Sequence, residues 1–207
     1  MVWRFSECVG RDPAEVGAEA QWLGRAAVAG VEVAPGLVLG RAAEETFYLS
    51  NNLPEQVRKL FAPLNLRRLD EQAFEAACEG AARLVLESVL LDDLTAMLQL
   101  ASRNAGVNGA GHWRRPGERG AAELDGRPGS VLVALKRLWA RDWDADAALA
   151  RLDATGGIGL DPRPALLFAG PEGRPDERLG SAVAAALGQP GRAFAADGRL
   201  NGFEPQV

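Results

Sequence analysis

Apolar residues recur every three or four positions through most of the first hundred residues, a spacing typical of amphipathic helices. The run that contains AQWLGRAAVAG predicts a helix over 13–29, with Asp12 in position to cap it and Gly30 as its end. The next stretch, VEVAPGLVLG, alternates as a strand that bends at Pro35 and Gly36. A helix and a strand are therefore expected to follow one another without a linker.

Further helices are predicted along the chain. Apolar residues keep helical spacing over 42–49, 54–61, 70–89 and 92–103. The clearest apolar stripe consists of Phe74, Ala77, Cys78, Ala81, Leu84, Val85 and Val89. A helix pair, SVLVALKRLWARDW and DADAALARLD, is followed by PALLFAG as a short buried strand, and then by a helix near 177–187 and a strand at 192–195.

The pattern stops between 104 and 130, where NAGVNGAGHWRRPGERGAAELDGRPGS is dense in Gly and Pro and predicts a loop. This divides the chain into 1–103, the loop 104–130, and 131–207. A chain of 207 residues can bury a sizeable core, as one compact domain or as two small lobes. The mixture of elements predicts an α/β (α+β) fold that is rich in helices and has a small mixed sheet.

Charge and composition exclude several classes of partner. A net charge of -5 argues against general binding to nucleic acids or anionic membranes, which requires clustered Lys and Arg. The longest apolar runs are too short to span a membrane. The N-terminal stretch MVWRFSECVGRDPAE lacks the features of a secretory signal, so a cytoplasmic location is expected.

A few single residues limit the possible chemistry. Cys8 and Cys78 are far apart and belong to no metal-binding pattern, so both are interpreted as buried thiols. His112 is the single histidine of the chain. Trp139 and Trp143 are four residues apart on one predicted helix, which favours a place in the core.

The predicted loop holds the candidate binding residues. Arg114, Arg115, Arg119 and Arg127 can clamp a phosphate through forked hydrogen bonds, although the pattern favours a solvated loop. GVNGAGHW does not fit a dinucleotide-binding GxGxxG, because it follows a predicted helix and lacks the third glycine. Two acidic groups are interpreted as helix starts and solvated faces, not as metal ligands: Asp92 and Asp93, and Asp142, Asp144 and Asp146.

The segment VGAEAQWLGRAAVAGVEVAPGLVLG resembles the start of the nucleotide-binding domain of the phosphoenolpyruvate synthase, pyruvate phosphate dikinase and rifampicin phosphotransferase family. That family begins GGKxANLxxLxxxGxPVPPGFxxT. The later segment SVLVALKRLWARDWDADAALAR is similar to the family helix AVxxxWASLWxxRAxxYR at Trp139, Ala140, Trp143, Ala147 and Arg151. The resemblance covers about 13–170, with the predicted helical block in the place of a family insertion. It implies an ATP-grasp fold that binds ATP and Mg²⁺ and phosphorylates a histidine of a separate domain.

Departures from the family pattern fall on the phosphate-binding residues. Glu19 stands where the family has the lysine of GGK, which contacts the nucleotide phosphates. HWRRPGERGAAELDG stands where the family has the arginine loop VRSSAxxED, so Arg114 or Arg115 corresponds to its phosphate-clamping arginine. The second lobe with its Mg²⁺ ligands is not expected after PALLFAG. Loss of these charges together implies loss of phosphoryl transfer.

The sequence therefore favours a degenerate, non-catalytic relative that acts as a binding or regulatory protein, with a protein partner or a second copy of itself and no cofactor. One alternative is an ATP- or phosphoryl-ligand-binding subunit of a split phosphotransferase, in which Arg114, Arg115 and Arg119 hold the nucleotide with Mg²⁺. If the chain is an enzyme, it is an ATP-dependent phosphotransferase. A second alternative, less favoured, is a nucleic-acid contact through the 114–127 loop.

Overall fold

The computed structural model describes residues 1–65 and 68–206, and in these ranges it shows a mixed α/β fold. The helices are α1 (Pro13–Val16), α2 (Ala18–Val28), α3 (Arg41–Ser50), α4 (Leu53–Phe61), α5 (Glu71–Glu87), α6 (Asp92–Asn104), α7 (Ser130–Arg141), α8 (Ala145–Thr155) and α9 (Glu177–Leu187). The strands are β1 (Val2–Trp3), β2 (Gly36–Leu39), β3 (Gly111–Arg114), β4 (Ala122–Glu123), β5 (Ala165–Ala169), β6 (Arg174–Pro175), β7 (Gly191–Ala196) and β8 (Arg199–Pro205). A 3₁₀ turn, Phe5–Cys8, follows β1.

The strands form two antiparallel sheets. The larger sheet has the order β1-β2-β5-β3-β4, so β5 lies in the middle with β2 and β3 on either side. Leu167 of β5 pairs with Leu37 on one side and with Trp113 on the other. The smaller sheet has the order β6-β7-β8. Since β2 and β3 both pair with β5, the larger sheet joins segments that are far apart in sequence.

Side chains alternate between the two faces of the larger sheet, as the pleat requires. Leu37, Leu39 and Leu167 belong to a core that they share with buried residues of α3 to α8. Val38 and Phe168 face the other way, into a second core that includes residues of α2, α9, β7 and β8. The sheet therefore separates two apolar cores.

The predicted helices are confirmed, and several begin at the residues that the sequence indicates. Asp12, Asp70 and Asp176 each accept a hydrogen bond from a backbone N–H in the first turn of the following helix. Such caps satisfy donors that have no partner within the helix. The helix predicted over 13–29 is divided at Gly17, whose φ of 86° separates α1 from α2.

The prediction of an uninterrupted loop over 104–130 is wrong, because this segment contains β3 and β4. All four residues of β3 are buried. The strand was missed because GHWR lacks apolar alternation, and its charged residue is buried against a carboxylate that lies 95 positions away. The strand predicted from VEVAPGLVLG is confirmed only over Gly36–Leu39, although Val33 forms an isolated bridge with Leu200.

No helix in the described ranges has the length and apolar character needed to cross a membrane.

Candidate functional site

The Arg114 side chain is fully buried and lies on the face of the sheet toward α2. Its Nη1 donates to Glu19 Oε2 at 2.5 Å, and its Nη2 donates to Glu19 Oε1 at 2.8 Å and to the Asn201 carbonyl at 2.7 Å. The guanidinium also lies 5.0 Å from the centre of the Phe168 ring. This is a forked ion pair with almost no contact with solvent, the strongest geometry available to an arginine and a carboxylate.

Glu19 accepts further hydrogen bonds from the backbone. The N–H of Gly117 donates to Oε2 at 2.7 Å, and the N–H of Phe203 donates to Oε1 at 3.3 Å. Arg119 Nη2 lies 3.7 Å from Oε1. We call this group of Glu19, Arg114, Gly117, Arg119 and Phe203 the Glu19 cradle. Converging N–H groups and guanidinium groups form an anion-binding concavity, and here the internal carboxylate occupies it.

Arg115 projects to the opposite side and forms a second buried ion pair. Its Nη1 and Nη2 donate to the two carboxylate oxygens of Glu44 at 2.9 and 2.8 Å, and Nη2 also donates to Asp142. Arg163 Nη2 donates to the other oxygen of Asp142 at 2.5 Å. Glu44 also accepts a hydrogen bond from the Tyr48 hydroxyl at 2.5 Å. We call Glu44, Tyr48, Arg115, Asp142 and Arg163 the Glu44 network.

The electrostatics of the Glu44 network follow from these contacts. Burial by itself lowers the pKa of Arg115, but the charges of Glu44 and Asp142 outweigh it and raise that pKa above its ordinary value. Burial and then the Glu44 carboxylate raise the pKa of the Tyr48 hydroxyl. Arg115 is therefore charged and Tyr48 is neutral at every physiological pH.

The four predicted arginines do not form one cluster. Arg114 and Arg115 have partners on opposite faces of the sheet, as expected for adjacent residues at the end of a strand. Arg119 lies near Glu19 and 3.5 Å from the centre of the Phe194 ring, while Arg127 is exposed. The interpretation of this segment as a solvated loop is wrong for Arg114 and Arg115, which are buried. Nucleotide binding by Arg114, Arg115 and Arg119 stays a prediction.

A polar cleft of 590 Å³ lies beside the Glu44 network, between α7, α8 and the chain around 115–120. We call it the arginine cleft, and it is lined by Arg115, Glu118, Arg119, Gly120, Leu138, Arg141, Asp142, Asp144, Ala147, Ala150, Arg151, Asp161 and Arg163. Arg151 lies over the Trp143 ring at 4.6 Å from its centre and donates from Nη1 to the Asp142 carbonyl at 3.1 Å. Arg141 Nη1 donates to the Gly120 carbonyl at 2.9 Å.

A larger groove of 730 Å³ lies between α3, α4 and the segment 158–162. Its floor is mainly apolar and includes Tyr48, Val57, Phe61 and Leu160, while Arg41 stands at its edge. Such a mixture suits an apolar ligand or a partner side chain. Tyr48 connects this groove to the Glu44 network through its hydroxyl.

The remaining single residues have structural environments. Cys8 and Cys78 are buried free thiols, as predicted, and Trp139 and Trp143 are buried in the core. His112 Nδ1 lies 2.9 Å from the Gly170 carbonyl oxygen, and its ring stacks on Phe168. Burial lowers the pKa of this histidine. In the described ranges, no three His, Cys, Asp or Glu side chains are grouped so that they could hold a metal ion.

Asp142 corrects one interpretation of the acidic residues, because it is buried in the Glu44 network and is not part of a solvated face. Asp92 and Asp93 lie in the first turn of α6, as predicted. Sequence reasoning also missed Glu44. Its one available signal was its position on α3 beside Ala43 and one helical turn before Phe47 and Tyr48, on the apolar face.

No protein-family model matches the chain, and no curated protein shows significant similarity to it.

Proposed function

We propose that the chain is a non-catalytic binding protein derived from the nucleotide-binding domain of the phosphoenolpyruvate synthase and pyruvate phosphate dikinase family, and that Glu19 blocks its former phosphate site. The supporting observation is the forked ion pair between Glu19 and Arg114. By the resemblance, Glu19 corresponds to the lysine that contacts the nucleotide phosphates, and Arg114 is one of the two arginines, with Arg115, that correspond to the phosphate-clamping arginine. In this chain Glu19 and Arg114 bind each other.

The geometry of the Glu19 cradle explains why a triphosphate would bind poorly there. Both Nη atoms of Arg114 and the N–H groups of Gly117 and Phe203 already donate to Glu19. A phosphate group would have to displace this carboxylate, which would leave a buried charge without its partner. The like charge of Glu19 would also repel the phosphate.

Calorimetric titration with MgATP tests this proposal. We expect no saturable heat from the wild-type chain at millimolar nucleotide. Glu19→Gln removes the internal negative charge at nearly constant size, so we expect it to increase the affinity for MgATP by about tenfold or more. Glu79→Gln on the exposed side of α5 is the control and should behave as the wild type. Circular dichroism establishes that each variant is folded.

Heat from the wild-type chain would have two possible origins, and a second variant distinguishes them. If the heat persists in the chain that carries Arg141→Gln and Arg151→Gln, the nucleotide binds outside the arginine cleft. The proposal is then overturned in favour of the ATP-binding alternative. If that double variant abolishes the heat, the nucleotide binds in the arginine cleft and the Glu19 cradle remains blocked.

The binding partner that we propose is a second copy of the chain. Leu49 and Val89 are 64% and 73% exposed, and Leu91 is 44% exposed. Asn51 exchanges two hydrogen bonds with the backbone of Val89 at 2.9 and 3.1 Å, so it joins the end of α3 to the segment after α5. Apolar residues grouped in this way favour a protein contact.

Light scattering at low and high protein concentration tests whether the chain binds a second copy of itself. We expect a dimer that Val89→Glu converts to a monomer, because the new carboxylate would be buried at the contact. Val28→Glu is the matched control, since Val28 is 70% exposed on α2. If the wild-type chain stays monomeric at high concentration, the proposal of a second copy as the partner is overturned. The partner would then be a different protein.

A further inference from the structure

Acids and arginines both line the arginine cleft, but two of its arginines form no ion pair with a described residue. Arg115 is paired with Glu44 and Asp142, and Arg163 is paired with Asp142, Glu118 and Asp161. In contrast, Arg141 and Arg151 form no ion pair with any residue in the described ranges, and each donates to a backbone carbonyl. Asp144 also lines the cleft without an ion pair in those ranges, so the cleft holds one unpaired acid beside two unpaired guanidinium groups.

Both guanidinium groups are held in place before any ligand arrives. Trp143, which is buried, supports the Arg151 guanidinium from below, and the carbonyl of Asp142 accepts from its Nη1. Arg141, the residue before Asp142, is fixed by the carbonyl of Gly120. Because the side chains are already ordered, a ligand would lose little of its binding energy in ordering them.

Arg151 also has donors without acceptors. Its Nε and Nη2 are buried and form no hydrogen bond to any described residue. Arginine has five N–H donors and no acceptor, so unpaired donors on a rigid guanidinium favour an oxyanion.

We propose that the arginine cleft binds the oxyanion group of a small metabolite, a phosphate or a carboxylate, through Arg141 and Arg151. The volume of 590 Å³ suits a small molecule and not a macromolecule. The planar guanidinium groups recognise either oxyanion by forked hydrogen bonds. This inference goes beyond the proposed function, because it depends neither on the family resemblance nor on the Glu19 cradle.

Calorimetric titration of the full chain with inorganic phosphate and, separately, with citrate tests the site. Chloride at matched ionic strength is the reference, because unspecific attraction to arginines is screened by salt. We expect saturable binding of at least one of the two anions. Binding of phosphate alone identifies a phosphorylated metabolite, and binding of citrate alone identifies a carboxylic acid. Absence of saturable binding for both anions would overturn the proposal.

Variants show whether the bound anion lies in the arginine cleft. Arg141→Gln and Arg151→Gln keep most of the side-chain length and remove the charge, and each should weaken binding by about tenfold or more. Arg151→Lys keeps the charge but cannot donate two parallel hydrogen bonds, so its affinity should lie between those of Arg151→Gln and the wild type. Arg178→Gln, at an exposed position on α9, is the control. An equal loss in Arg178→Gln, or no loss in the two cleft variants, would place the anion elsewhere.

Discussion

Arg115 holds Glu44 through two hydrogen bonds of 2.8 and 2.9 Å, although 71 positions of sequence separate the two residues. Both side chains are 1% exposed. The pair joins α3 to the end of β3, and Asp142 extends it to the end of α7. Arg115 therefore connects three parts of the fold through ion pairs. Among the described residues on this side of the sheet, its pair with Glu44 is the most deeply buried ion pair.

Removal of Arg115 should strongly destabilise the protein. Arg115→Met keeps the length of the side chain but leaves Glu44 as a buried carboxylate without a cation, and leaves Asp142 with Arg163 as its remaining cation. We expect a loss of about 3–5 kcal/mol in the free energy of unfolding, as for other broken buried pairs. Urea denaturation followed by circular dichroism measures the change. A loss as small as that of a surface pair would contradict the assigned role.

An exposed ion pair in the same chain provides the control. Arg58 pairs with Glu55 at 2.8 Å on α4, with a side-chain exposure of 66% for Arg58. Since water screens such a pair, Arg58→Met should leave the urea midpoint almost unchanged. The comparison separates the effect of burial from the effect of charge, because both variants replace an arginine with the same residue.

The helices could be predicted from the sequence, but strand β3 of the larger sheet could not. α5 was predictable because Phe74, Ala77, Ala81 and Val85 repeat at helical spacing within one short segment. β3 was not, because Arg114 looks like a solvated residue until Glu19 is known to lie beside it. Periodicity reports neighbours along the chain, whereas the partners of a buried charge lie far away in sequence.

The same limit applies to the candidate site. Arg114, Arg115 and Arg119 were identifiable as a group because they are close in sequence. The structure shows that they have separate partners: Arg114 binds Glu19, Arg115 binds Glu44 and Asp142, and Arg119 donates to Glu204. Arg141 and Arg151 were not identifiable as a pair, since arginines on amphipathic helices are usually solvated and nothing in the spacing indicates a shared cleft.

His112 should make stability depend on pH. Burial lowers the pKa of the folded histidine below its ordinary value of 6.5. As the pH falls below 6.5, the unfolded chain takes up a proton that the folded chain does not, so this histidine should reduce stability toward acid pH. The slope is at most about 1.4 kcal/mol per pH unit.

The contribution of His112 is measured by comparison with His112→Gln. Urea midpoints of both chains at pH 7.5, 6 and 5 would give the difference in their pH dependence; these values bracket the ordinary pKa of histidine, about 6.5. The wild-type chain should lose more stability than the variant on acidification. Parallel curves would show that His112 is protonated equally easily in the folded and unfolded states.

The two cysteines should react slowly with thiol reagents in the folded chain. Burial raises the pKa of Cys8 and of Cys78 to about 11, and both thiols are almost completely enclosed. The thiolate is the reactive form, so its low population should slow reaction with a disulfide reagent at pH 7.5 by about 100-fold or more relative to the unfolded chain. Absorbance on release of the reagent's chromophore measures both rates. Rapid modification of either residue in the folded chain would contradict its enclosure.

Two helical glycines should respond in opposite directions to replacement by alanine. Alanine normally stabilises a helix interior by about 1 kcal/mol relative to glycine. At Gly24 of α2, however, a Cβ atom would overlap the carbonyl oxygen of Phe5 in the 3₁₀ turn, and that backbone oxygen cannot rotate away. Gly24→Ala should therefore destabilise the protein, because the helix must move away from the turn.

Gly180 of α9 provides the matched substitution. A Cβ atom there would lie 3.7 Å from the Ala193 nitrogen and 3.8 Å from the Ala193 Cβ, which is ordinary van der Waals contact. Gly180→Ala should consequently raise the free energy of unfolding by about 0.5–1 kcal/mol. Thermal denaturation of the two variants and the wild type shows whether each substitution raises or lowers the melting temperature. If Gly24→Ala also raised the melting temperature, α2 would not pack against Phe5 and Val9 as closely as described, because these contacts oppose the helix preference for alanine.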